Sequence, residues 1–85
     1  MTASEFNEKY KEYLEPRFYG LAIDIPEVVE FLDKEFPKLI KGNMQPFKYS
    51  QIKTKFGYAC VYCNANPAVV RHLENDIDKI IKSQK

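Results

Sequence analysis

Eighty-five residues, 45% hydrophobic and with a formal charge of +1, predict one globular domain rather than a disordered chain or a dedicated polycation. No run approaches the ~20 apolar residues of a membrane span, and the polar opening MTASEFNEKY predicts no secretory leader. Two cysteines are too few for a secreted disulfide framework, so a reducing cytoplasm is the expected compartment and no membrane partner is expected.

The charge is unevenly spread. Up to Phe36 there are nine acids against four bases; from Pro37 there are nine bases against three acids. Either the halves attract one another or lie solvated, or the fold presents an acidic and a basic face, one of which meets a partner.

In chain order, Thr2 and Glu5 fit a capping box at the start of a helix. Phe6, Tyr10, Tyr13 and Leu14 fall on one stripe at helical spacing, and Pro16 ends the helix. The connector RFYGLAI, residues 17–23, is apolar around Gly20 and fits either a short extra strand or a buried loop. A second helix is expected from Asp24-Ile25-Pro26-Glu27, with Asp24 near the N-cap and proline in the first turn. Val28, Val29, Leu32, Phe36, Leu39 and Ile40 keep its period; Pro37 predicts a kink or a new start, and Gly42-Asn43 a stop.

Residues 47–56 (FKYSQIKTKF) alternate as a strand, Gly57 marks a turn, and YACVYCN reads as the returning strand. Asn66-Pro67 opens a third helix with the stripe Val70, Leu73, Ile77, Ile80 and Ile81; Lys79, Lys82 and Lys85 suit the negative pole of that helix. The order is α-α-β-β-α. A lone hairpin needs helices over at least one face, which predicts a single α+β domain over 1–85 with three helices on a small antiparallel sheet.

Strict alternation puts Ser50, Ile52, Thr54 and Phe56 on one face of the first strand and Tyr49, Gln51, Lys53 and Lys55 on the other. On the second strand, Ala59, Val61 and Cys63 oppose Tyr58, Cys60 and Tyr62. One face of the hairpin would then show Tyr49, Gln51, Lys53, Lys55, Tyr58 and Tyr62, with Cys60 among them. Tyrosines among lysines suit a protein interface, where they give large contact area at low entropy cost. They also suit single-stranded nucleic acid, with rings stacking bases and lysines holding phosphates. A third arrangement has helices over both faces and the tyrosines in the core. A near-zero net charge weighs against the nucleic-acid reading.

Cys60 and Cys63, three apart in an extended strand, fall on opposite faces, so neither a disulfide nor a shared metal is expected there. A zinc site would need both with His72 and a fourth ligand such as Asp76, fewer Cys and His than structural zinc prefers. His72 falls beside the third helix's apolar stripe and reads as a surface histidine. No nucleophile has a base partner and no glycine cluster forms a phosphate cradle. No catalytic residue, metal or cofactor is expected, and the chain reads as non-enzymatic.

The stretch QIKTKFGYACVY, residues 51–62, resembles a Q-I-K-x-K-F-G-x-x-x-x-Y segment of small proteins of bacteria, phages and prophages. YGLAIDIPEVVEFLDKEF, residues 19–36, is similar to the helix upstream of that segment in some of them. In that pattern the position matching Cys60 is often basic, in keeping with an outward-facing Cys60. The resemblance implies an accessory protein of a mobile element in a bacterial cytoplasm, with no assigned activity. Such proteins often act by binding, so the expected partner is a host or defence protein (CRISPR-type, for example) that the chain inhibits. A nucleic acid and a second copy of the chain are the other expected partners. An acidic helical face (Glu5, Glu8, Glu12, Glu27, Glu30, Asp33) could imitate DNA phosphates, by analogy alone.

Overall fold

The computed structural model describes residues 1–84. Lys85, set beside Lys79 and Lys82 at the end of the third helix by the sequence reading, lies outside the described residues. Among the described residues the chain forms helices α1 (Ala3–Lys9), α2 (Pro26–Gly42) and α3 (Pro67–Lys82) and strands β1 (Gly20–Leu21), β2 (Tyr49–Lys55) and β3 (Tyr58–Cys63). The α+β architecture and the α-α-β-β-α order are as expected, and the undecided connector supplies the extra strand.

The sheet runs β1-β2-β3 and is mixed rather than purely antiparallel. β1 pairs parallel to β2, Gly20 with Gln51 and Leu21 with Ile52, while β2 and β3 form the antiparallel hairpin. The core lies on one face of this sheet, where residues of all three helices meet Tyr49, Ile52, Ala59 and Val61. Phe36 is its hub, edge-on to Phe6, Tyr10, Phe47 and Tyr49 with ring centroids 4.8–5.2 Å away, an arrangement that sets positive ring edges against negative ring faces.

The capping box at Thr2 and Glu5 forms as expected. The first helix is shorter than its stripe implies: it stops at Lys9 and continues as a single 3-10 turn, Lys11–Tyr13. Asp24 does not cap α2, whose N-cap is Ile25 without a side-chain bond. Asp24 Oδ1 instead accepts from the backbone N–H of Ala3, 3.0 Å away, and ties the start of α1 to the loop before α2. At α3 the expected Asn66 cap is present, its Oδ1 accepting from Ala68 N–H at 2.8 Å.

Pro37 neither ends α2 nor starts a new helix; α2 runs through it. A proline has no N–H, so the Asp33 carbonyl four residues earlier loses its helical donor. Tyr10, the residue that caps the end of α1, stands in that place. Its hydroxyl lies 3.2 Å from the Asp33 carbonyl oxygen and 2.7 Å from Asp33 Oδ1, and Lys9 Nζ sits 2.8 Å from the same carboxylate oxygen. The bonds from Lys9 and then Tyr10 hold the Asp33 carboxyl below its ordinary range. A carboxyl so lowered adds stability above the ordinary carboxylate range and loses it as pH falls through the lowered value. Burial, and then Asp33, push the Tyr10 hydroxyl well above the usual phenol range.

Candidate functional site

Both edges of the sheet are closed by helix side chains. At the β1 edge the Asn7 amide stands in for a neighbouring strand: Oδ1 accepts from Leu21 N–H at 2.8 Å and Nδ2 donates to the Leu21 carbonyl at 3.0 Å. The same oxygen accepts from the Tyr49 hydroxyl at 3.2 Å. The amide passes so close to Gly20 that a Cβ there would collide with it, and Gly20 has φ +73°, which glycine tolerates and most residues do not. At the β3 edge, Ala59 N–H donates to Asp78 Oδ1 at 2.7 Å and Val61 N–H to Glu74 Oε2 at 2.9 Å. These N–H groups point away from β2, and unpaired they would be a template for another strand. Two of the three acids in the basic half of the chain are thus spent on backbone rather than presented to a partner.

With helices on one face and both edges closed, the sheet's other face remains. The pairs Gln51–Tyr62, Lys53–Cys60 and Lys55–Tyr58 stand opposite one another across it, at the ~4.5–5.5 Å Cβ spacing of directly opposed residues. Tyr58 is 61% exposed and Tyr62 45%. Lys55 is exposed, and Gln51, Lys53 and Cys60 are half-buried. Five of the six residues expected at a partner surface are therefore together on one open face: Gln51, Lys53, Lys55, Tyr58 and Tyr62. None of the described residues on these outward β2 and β3 positions is a carboxylate.

Tyr49 is the exception and a correction. It is fully buried, among the aromatic core residues, with its hydroxyl on Asn7. The cause is a β-bulge between Tyr49 and Gln51: two steps on β2 match one step on β3, from Cys63 to Tyr62. Ser50 is the extra residue, and its hydroxyl donates to the Tyr62 carbonyl at 3.2 Å. An inserted residue shifts the alternation by one, so Tyr49 and Ile52 share the inner face although three apart. Burial pushes the Tyr49 hydroxyl up to about 12.

Phe56 is a second correction. Strict alternation placed it with Ile52; in the structure it is in the turn and 90% exposed. Phe56 (φ +54°) and Gly57 (φ +83°) make a two-residue connection with both φ positive, the signature of a type I′ hairpin turn. Gly57 was expected at the turn; that Phe56 shares it was not, because such turns favour Asn or Asp at their first position. Phe18 and Tyr19, which lead into β1 at the other end of the sheet, are also exposed, at 53% and 80%. They follow Pro16-Arg17, a turn closed by Phe18 N–H on the Glu15 carbonyl, with Arg17 at φ +73°.

The two cysteines are free and lie on opposite faces of β3, Cys60 outward and Cys63 against the core. Burial pushes the Cys63 thiol up, which leaves it a poor nucleophile. His72 is exposed, on the rim of a cleft of about 310 Å³ between the end of α2 and the start of α3, floored by Leu39, Leu73 and Val69 with Glu35 and Asp76 beside it. Among the described residues no three Cys, His, Asp or Glu side chains converge as a metal site would need, and no helix is long and apolar enough to cross a membrane. The acids Glu5, Glu8, Glu12, Glu27 and Glu30 are exposed on the helix layer; Asp33 is half-buried and paired with Lys9.

The open face offers two aromatic rings with polar tips, two ammonium groups, an amide and, opposite Lys53, the Cys60 thiol. Comparison of the chain with protein-family models, with curated proteins and with solved structures gave no match.

Proposed function

We propose that this chain is a protein-binding module that docks through the open face of the β2–β3 hairpin and acts by occupying a surface of its partner. The observation that carries the reading is the leftover face. A small sheet that closes both edges with side chains and one side with helices has kept Tyr58 and Tyr62 in water beside Lys53 and Lys55. Edge closure argues against binding by strand addition, the usual way a small sheet takes a peptide. Two such faces packed about a two-fold axis would gather the lysines of both copies and no carboxylate, which argues against a second copy as occupant. The charge calls instead for a partner surface that carries Asp or Glu around apolar ground. The resemblance described above extends the proposal to a host or defence protein, inhibited in the bacterial cytoplasm by occlusion.

A tagged pull-down from bacterial lysate, with and without nuclease, tests this against single-stranded nucleic acid on the same lysines and tyrosines. The expected result is one protein in stoichiometric amount that survives nuclease and is lost with Tyr58→Ala/Tyr62→Ala, while the circular dichroism melt is unchanged. Recovery that vanishes with nuclease, with log affinity falling linearly in log salt, would transfer the face to nucleic acid. A double variant that keeps the partner would remove the face from the account.

A further inference from the structure

We infer that Phe56 is the anchor of this interface, inserting into an apolar, carboxylate-rimmed pocket of a folded protein partner. The inference rests on the docking-face reading and adds to it a residue, a pose and the chemistry of the recipient.

The turn gives Phe56 no structural reason to be there. Its φ of +54° lies in the left-handed region, where a bulky side chain is an outlier. Asn, Asp or Gly would fill the first position of a type I′ turn without that strain. Nor does burial compensate: the side chain is 90% exposed, and the Lys55 ammonium lies over its ring only at 6.0 Å from the centroid. Strained residues held in place by their surroundings are a reason to look for function.

The surroundings do hold it. Lys55 and Tyr58 pair directly behind the turn, and two residues past Gly57 the backbone of Ala59 is fixed to Asp78 of α3. The ring is thus presented on a braced support, which lowers the ordering cost of binding. Lys53 and Lys55 stand behind it on the open face with no described carboxylate among the outward β2 and β3 positions. A benzyl group leading two ammonium groups is complementary to an apolar pocket edged by Asp or Glu. Phenylalanine is among the residues enriched where interfaces are most fully buried.

The test has two arms. In the first, Phe56→Asn is melted beside the wild-type chain. A melting temperature unchanged or raised by up to about 4–8 °C shows that the ring is not needed for folding; a lower one makes it structural and overturns the inference. In the second, p-benzoylphenylalanine replaces the residue at position 56, 58 or 62 in turn, and each protein is irradiated in nuclease-treated bacterial extract. The expected result from position 56 is one adduct, mapped to apolar residues flanked by Asp or Glu, and Phe56→Asn then weakens the affinity for that purified protein at least about 30-fold. Adducts from 58 and 62 but none from 56 refute the anchor and leave the docking face standing. No adduct from any position refutes both. Adducts to nucleic acid, to a second copy of the chain or to many proteins also refute the anchor.

Discussion

Asn7 is the residue on which the β1 edge depends, and Asn7→Ala tests how the sheet is held. The amide makes three bonds, to both polar groups of Leu21 and to the Tyr49 hydroxyl. Alanine forfeits the two Leu21 bonds, each worth about 0.5–1.5 kcal/mol net, and leaves the buried Tyr49 hydroxyl without an acceptor at about 1–3 kcal/mol. The expected loss is about 2–6 kcal/mol, a large share of what a domain of this size has to spare at roughly 0.05–0.15 kcal/mol per residue. Tyr49→Phe alone should cost about 0.5–1.5 kcal/mol, because Asn7 keeps Leu21. In the Asn7→Ala background the same change should cost nothing or restore stability, because it removes the group left unpaired. The coupling between the two sites is therefore expected at about 1–3 kcal/mol. Urea titration of the four proteins by circular dichroism measures it, provided that they share one m-value. Additive losses, with coupling under about 0.5 kcal/mol, would refute the reasoning: Asn7 would then brace α1 against β1 without holding Tyr49.

Glu74→Ala and Asp78→Ala should each cost about 1–3 kcal/mol by freeing the N–H of Val61 or Ala59, and the double variant should self-associate with rising concentration in gel filtration as the β3 edge opens. Glu74→Gln and Asp78→Asn keep a carbonyl acceptor and should retain most of that stability; alanine variants as stable and monomeric as the wild type would contradict the edge-closure account. Alkali offers an independent check through Tyr49 and Tyr10. A hydroxyl raised by burial favours the neutral form in the fold, so its contribution is whole below the ordinary phenol value near 10 and disappears as pH climbs through its raised one, about 12 for Tyr49. Part of the phenolate absorbance should therefore appear together with loss of circular dichroism between about pH 10 and 12, and Tyr49→Phe should shrink that shared step; full ionisation of a still-folded chain would contradict it.

The helices were largely legible because α2 and α3 carry long apolar stripes, and local signals at Thr2, Asn66 and Pro67 agree with them. β1 was not, since two residues carry no period and its pairing is parallel to a strand thirty-one positions on. Pro37 misleads a local reading for a non-local reason: the donor it lacks is replaced by Tyr10, from the end of α1. The open face was legible from Gln51 onward, where alternation holds, and illegible before it, because nothing about Ser50 announces a bulge. One unmarked residue was enough to move Tyr49 from the surface to the core. Phe56 failed the same way, a turn residue read as the last of a strand.

The segregation of charge between layers has a consequence in solution. The β2–β3 hairpin carries two lysines and no acid, while the other described residues carry twelve acids against ten bases, so the molecule carries a modest electric dipole with its positive end toward the hairpin. In the field of an acidic surface such a body experiences a torque before it experiences a contact, and arrives sheet-first. Added salt shortens the reach of that torque, so it slows arrival far more than it hastens departure.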